Sequence, residues 1–170
     1  MTTTTRHDGV SLFNGPIEIG YRALVLLNET YPDEYSLRHL VIFDYLLVHS
    51  DDIENGPVGL HPKTPYRSGE LLVRRNPLQN GLALFHSRGL IEKHYREHGV
   101  FYSASEQSES FLAVIEARYS SMLIERAEWV ASRFGTSSLG ELEQIVRQNL
   151  GIWGAEFEMG SVLWSEADDV

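Results

Sequence analysis

The sequence contains no cysteine, which removes disulfide staples and every zinc site built on thiolates, and leaves His and carboxylates as the side chains able to hold a metal. Cations are scarce too. With 14 Lys plus Arg against 24 Asp plus Glu the chain carries a net charge of -10. A general nucleic-acid coat protein is therefore excluded, because phosphate binding takes its affinity from excess Lys and Arg. Long apolar runs are absent. The longest, Ala23 to Leu27 and Leu40 to Val48, fall short of the ~20 residues that span a bilayer, and Met1 to Ser11 lacks the apolar centre of a secretory signal. A membrane is not expected as a partner, and the cytoplasm is the expected location. There is no phosphate-cradling Gly-rich loop with its Lys, no nucleophile elbow and no kinase motif set. The commoner enzymatic signatures are thus missing, and no catalytic residue, metal or cofactor is assigned from them.

What is present is one domain's worth of chain, 170 residues with 42% apolar content. Its charge is unevenly spread. Between Lys63 and His98 seven basic residues (Lys63, Arg67, Arg74, Arg75, Arg88, Lys93, Arg96) face three acidic ones (Glu70, Glu92, Glu97), so this stretch is +4 and the remainder -14. Such a segment reads either as a small surface for phosphate or an acidic partner, or as solvated side chains clustered by chance.

Residues 1–12 read as a disordered tail, since a Thr run with isolated charges buries nothing. Gly15-Pro16 opens a first helix with Ile17, Tyr21, Leu24, Val25 and Leu27 at helical spacing, and Pro32 stops it. Ser36 caps a second helix, apolar around much of its circumference and ending near His49-Ser50. Asp51 to Tyr66, rich in Gly and Pro, is a loop with defined turns. Ser68 restarts helix to Arg75, and Asn76-Pro77 breaks it and begins another, 77–88. Gly89 ends that helix in the left-handed conformation, and residues 90–104 form a hairpin turning at His98-Gly99. Together these predict a mainly α fold: a winged helix-turn-helix core over residues 13–106, with helices 37–49, 68–75 and 77–88 and a β-hairpin wing, preceded by an N-terminal helix. Residues 107–150 are expected as a C-terminal helical extension, one long helix from Ser108 to Phe134 and a last one capped by Ser138. Residues 151–170 are expected as an acidic tail, with Trp153, Phe157 and Trp164 as anchors. Tyr119 and Trp129 are expected in the core.

Three groups of residues carry candidate chemistry. His49 with Asp51 and Asp52, at the end of the buried helix, reads as a helix-end cap or as a metal site, the former being the ordinary role. His94 and His98 lie four apart, but a hairpin gives that spacing no ligand geometry. In the loop motif of His61, Pro62 and Pro65, the two prolines fix a path that delivers Lys63, Arg67 and Glu70 to a helix start followed by Arg74-Arg75. Such arginines can grip phosphate or a partner's carboxylate bidentately. Alternatively Arg67 or Arg74 pairs internally with Glu70, Asp44 or Asp52 and locks the loop. Arg88, Lys93 and Arg96 extend the same basic surface.

Longer strings of residues carry a resemblance. Asp44-Tyr45-Leu46-Leu47-Val48-His49-Ser50 with Asp52, then Gly56-Pro57, Leu60-His61-Pro62, Thr64-Pro65, Arg67 and Gly69-Glu70-Leu71-Leu72-Val73-Arg74-Arg75 form a long and unusual motif. Gly81-Leu82, Arg88-Gly89-Leu90, Tyr102-Ser103-Ala104 and Arg126-Ala127-Glu128-Trp129-Val130 agree with it. From Phe13 to Phe134 the chain resembles the middle component, type two, of bacterial ABC-three-component conflict systems, related to the small subunit of Lamassu anti-phage systems. The resemblance implies a non-catalytic adaptor in a defence complex whose partners are an SMC-like or RecN-like ABC ATPase and an effector, often a nuclease, with DNA contacted through the complex. It assigns no catalytic residues, and it does not reach beyond Phe134. Against it stand two other readings, a winged-helix transcription regulator and a metal-dependent hydrolase built on the histidines. The first is weakened because Pro77 to Arg88 holds one Arg and four large apolar residues, Leu78, Leu82, Leu84 and Phe85, a face suited to protein more than to base edges.

Overall fold

In the computed structural model, residues 15–63 and 67–150 are described. The expected tails at 1–12 and 151–170, with the anchors Trp153, Phe157 and Trp164, lie outside the described residues, as does Pro65. Helix α1, Pro16–Glu29, begins with Pro at its first position, where a missing N–H costs nothing. From Ala23 to Leu27 every residue is buried, so this helix runs through the core. A short strand β1, Tyr35–Ser36, leads into α2, Leu37–Val48, whose N-terminus is capped by the Ser36 hydroxyl accepting from the His39 N–H. Every residue from Leu40 to Ser50 is buried. The two helices thus have apolar residues around nearly their whole circumference, as full burial requires.

The two helices expected at 68–75 and 77–88 are one, α3, Arg67–Ser87, with Pro77 inside it. The hydrogen bond that Pro77 cannot make would have gone to the carbonyl of Val73. Val73 is 69% exposed, so the turn that loses this bond lies on the solvent side of α3, where the loss costs least. The link from α2 to α3 is then the long connection through His49 to Tyr66, which includes a short 3-10 turn at Ser50–Asp52. Gly20 of α1 and Gly81 of α3 meet at the crossing of their helices. A Cβ on Gly81 would lie 2.5 Å from the Pro16 carbonyl oxygen and 2.7 Å from the Gly20 Cα.

Gly89, at φ +71°, ends α3 as expected. Strands β2, Ile91–Arg96, and β3, Gly99–Ala104, form the hairpin, with Gly99 at φ +125° beside the turn. Ile91 pairs with Ala104 and Arg96 with Gly99. Tyr35 of β1 pairs with Tyr102, giving an antiparallel sheet of order β1-β3-β2. The single helix expected from Ser108 to Phe134 is divided into α4, Ser108–Ala113, and α5, Arg118–Phe134. The chain leaves the helix at Val114-Ile115, a β-branched pair of low helix propensity, and Val114, 76% exposed, gains no packing to offset it. Leu123, Ala127, Val130 and Phe134 form the buried stripe of α5, which packs on α1 and α2. The last helix, α6, Leu139–Leu150, also packs on α2. Ser138 and Glu141 close a capping box at its start, each side chain meeting the other's backbone N–H.

Gly81→Ala should destabilise the protein by at least the ~1 to 3 kcal/mol typical of overpacking, because both neighbours of the new methyl are backbone. Urea unfolding measures it, and an unchanged midpoint would contradict the close crossing of α1 and α3.

Candidate functional site

Two charged residues stand on apolar helix stripes. Arg22 follows Ile19 by three positions on α1, and Asp44 follows Leu40 and Val41 on α2. Both are 1% exposed. The folding of α1 against α2 places them in contact: Arg22 Nε donates to Asp44 Oδ1 at 2.6 Å and its Nη2 donates to Oδ2 at 2.9 Å. Arg74 arrives from α3, 3% exposed, and also donates to Asp44 Oδ2. One carboxylate therefore holds two guanidiniums. Burial alone would raise the Asp44 pKa, but Arg22 and Arg74 beside it bring it below the usual carboxylate value. Burial acts to lower the Arg22 pKa, yet Asp44 leaves it raised.

The network continues outward. Arg74 Nη2 lies 3.3 Å from Glu70 Oε2, and that same oxygen is 2.7 Å from His49 Nε2. A carboxylate accepts only, so Nε2 is the donor. His49 Nδ1 is buried and has no hydrogen-bond partner among the described residues. His49 is the C-cap residue of α2, its backbone N–H donating to the Tyr45 carbonyl, while its ring faces Glu70; Asp52 accepts from the Tyr45 hydroxyl and Asp51 from Lys63 at 3.1 Å, and no three His or carboxylate side chains stand together as a metal site among the described residues. Across the loop, His61 Nε2 and the Tyr119 hydroxyl are 3.1 Å apart. Tyr119 is 38% exposed and so is not the core residue expected of it; its hydroxyl reaches the network and its ring keeps a solvent face. Burial raises its pKa while Arg22 pulls it down. Burial first, and then the Arg22 charge, lowers His61 to about 4 against the opposing pull of Asp44.

The expected site residues are thus divided among several places. Glu70, Arg74, His49, Asp52 and His61 belong to the internal network or its margin, and for Arg74 the internal pairing with Asp44 and Glu70 is the one found. Lys63 and Pro62 are exposed beside it, and Arg67 is the first residue of α3. Arg75 and Lys93 line a concavity between α2, α3 and the hairpin. Arg88 borders an apolar groove with Ile17 and Phe111. Arg96 is exposed and bonded to Glu34, Nε to Oε2 at 2.9 Å. Arg22 was not singled out by sequence reading, although a lone arginine on an apolar helical stripe is itself the signal of a buried partner.

The sequence model of one family, described as ABC-three component (ABC-3C) system Middle Component 2, matches residues 12–156. No curated protein and no solved structure matches the chain.

Asp44→Asn should cost about 3 to 5 kcal/mol in urea unfolding, because it leaves two buried guanidiniums without their counter-charge. A loss below ~1 kcal/mol, the scale of a surface pair, would show that the network is not the lock it looks like. The histidine gives a pH signature. With the folded pKa of His61 lowered from 6.5 to about 4, the unfolded chain takes up the proton first. Its contribution is therefore full above about 6.5 and lost as pH falls toward about 4. His61→Gln should flatten this part of the melting-temperature profile; parallel profiles for the two proteins would refute the assignment.

Proposed function

From its membership in the middle component 2 family of ABC-three-component systems, to which this chain belongs, we propose that it is a non-catalytic adaptor subunit. It binds an SMC-like or RecN-like ABC ATPase and bridges it to an effector, a nuclease in the anti-phage complexes related to Lamassu, with DNA reached through the assembly. The match over residues 12–156 carries this reading. The polar network supports it: Arg22, Asp44 and Arg74 are engaged with one another and 1 to 3% exposed, an arrangement that holds helices in place. Contact with partners then falls to the basic residues Lys63, Arg75, Arg88, Lys93 and Arg96, together with Arg67 at the start of α3. No helix among the described residues is long and apolar enough to cross a membrane.

A second reading, a winged-helix DNA-binding regulator, has one observation in its favour. The order helix, strand, helix, helix, strand, strand, with β1 paired to β3, supports reading residues 13–106 as a winged helix and 107–150 as a helical extension, although the helices expected at 68–75 and 77–88 are one. The adaptor reading is preferred because the chain is acidic and two of its outer cations, Lys63 and Arg96, already face carboxylates.

Co-expression with the ABC ATPase of the same system, followed by size exclusion, decides between them. The adaptor should co-elute with the ATPase and bind short duplex DNA weakly, with steep salt sensitivity and no sequence preference. Separate elution at micromolar concentration, or nanomolar sequence-selective DNA binding at ~150 mM salt, would instead favour the regulator.

A further inference from the structure

The sheet has one uncovered edge. Its order is β1-β3-β2, so β2 is an outer strand, and its backbone groups point alternately toward β3 and away from it. Two bonds fix the phase. The Leu90 carbonyl, just before the strand, accepts from the Ser105 N–H on the β3 side, whereas the Ile91 carbonyl accepts from His86 Nδ1 on the other side. Odd-numbered residues of β2 therefore turn their N–H and C=O outward. Among the described residues those of Lys93 and Tyr95 have no partner. Two of the devices that guard such an edge are missing, for β2 contains no Pro and pairs with β3 without a bulge from Ile91 to Arg96. Tyr95 stands 75% exposed on it, with the ammonium of Lys93 5.3 Å from its ring centre.

We propose that β2 is a self-association edge, pairing antiparallel with β2 of a second copy of this chain about a two-fold axis at His94. This register sets Lys93 opposite Tyr95 of the second copy, and Glu92 opposite Arg96 of the second copy. Both members of each Lys93–Tyr95 pair carry outward groups, so each pair exchanges N–H···O bonds in both directions. Charge selects this register among those of the same parity. About His94 the sequence Glu92-Lys93-His94-Tyr95-Arg96 complements its own reverse: carboxylate meets guanidinium and ammonium meets aromatic ring, each twice. Slipped one way, Lys93 would face Lys93 of the second copy; slipped the other way, His94 would face Arg96 and Glu92 would fall opposite the turn. The side chains are accessible, Glu92 being 55% and Arg96 54% exposed. Arg96 holds Glu34 of its own chain through Nε and Nη2. The donors on its Nη1 have no partner among the described residues, so it can grip a second carboxylate without releasing the first. The result is a closed, isologous dimer. A strand pair alone buries little surface, so the free protein associates weakly.

Sedimentation of the full chain from micromolar to millimolar concentration tests this, together with two variants, Glu92→Arg and Arg96→Glu. The wild-type mass should rise from monomer to dimer. Either variant alone sets like charges opposite each other twice, and its dissociation constant should rise by about tenfold or more. Their equimolar mixture restores both pairs of opposite charge, so it should dimerise about as tightly as the wild type. Crosslinking reads the register independently. In a chain without cysteine, His94→Cys creates a single thiol that meets its copy at the axis. The two Cα atoms form a non-hydrogen-bonded pair ~4.5 Å apart, within the span that a disulfide bridges. Mild oxidation should give a covalent dimer, in a yield that adding Glu92→Arg lowers; this arm decides alone if Arg96→Glu unfolds for want of its Glu34 bond. A wild-type chain that stays monomeric throughout would overturn the proposal and leave the edge to a strand of another protein. So would a mixture that dimerises no better than its components, a covalent dimer whose yield ignores Glu92→Arg, or a dimer that persists in both variants, which would place the contact on another face.

Discussion

Asp44 fixes the relation of three helices. Hydrophobic burial pulls α1 and α2 together, but it is non-directional, and helices apolar around most of their circumference can be rotated against each other with little change in buried area. A carboxylate gripped through both oxygens by Arg22, and through one by Arg74, admits one rotation and one axial position for each helix. The net stability gained is small, because desolvating three charges offsets much of their attraction. What the interaction contributes is uniqueness. Any other register of α1, α2 and α3 would strand at least one charge in a region where the surrounding side chains are hydrocarbon.

From this centre, order spreads into a connection that has little secondary structure of its own. Tyr45 lies under the Arg74 guanidinium at 5.6 Å and gives its hydroxyl to Asp52, which fastens the start of the connection. Lys63 reaches back to Asp51. Along one side, α5 supplies guanidiniums to carbonyls that no strand or helix satisfies: Arg126 donates to Val58 at 2.9 Å and Arg133 to Glu54 at 3.1 Å. On the inner side the Ser50 hydroxyl bonds the Pro57 carbonyl. A long loop against a core is stable only when its backbone groups are accounted for, and here arginine and serine side chains complete what backbone bonds such as Gly56 N–H to Ile53 and Leu60 N–H to Val48 begin.

The parts of this fold that could be read from the sequence are those governed by neighbouring residues. Pro16, Ser36 and Ser138 mark helix starts, Gly89 the left-handed end of α3 and Gly99 the hairpin turn; each acts within a few residues and each is found. The errors came where a distant or solvent effect outweighed the local one. Pro77 is tolerated because the turn that loses its bond lies on the exposed side of α3, at Val73, which depends on which side of the helix is packed. The interruption at Val114-Ile115 depends on what fails to pack against Val114. Strand β1 has two residues and exists because β3 offers an edge to Tyr35 and Ser36, so no pattern within it could announce a strand. For the candidate site, Asp44, Glu70 and Arg74 were visible as a set of alternatives, whereas Arg22, far upstream, was not. Pairing between residues on different helices is a property of the packing angle and leaves only an indirect trace, a charge out of place on an apolar stripe.

The same distinction changes what the basic segment means. As a count over Lys63 to His98 it is +4, yet the structure spends that charge in different directions. Arg74 turns inward to Asp44, Lys63 faces Asp51, and Arg96 is held by Glu34. One concavity brings three cations together, Arg75 and Lys93 with Arg38 of α2, which lies outside the segment and is itself bonded to Glu143. A patch of this size in an acidic protein does little long-range steering, because the Debye length at physiological salt is about 8 Å and the surrounding charge is of the opposite sign. It is read only at contact, by a group of the right shape held close. That requirement suits a subunit that meets its partners inside a standing assembly better than a protein that must find its target by diffusion through solution.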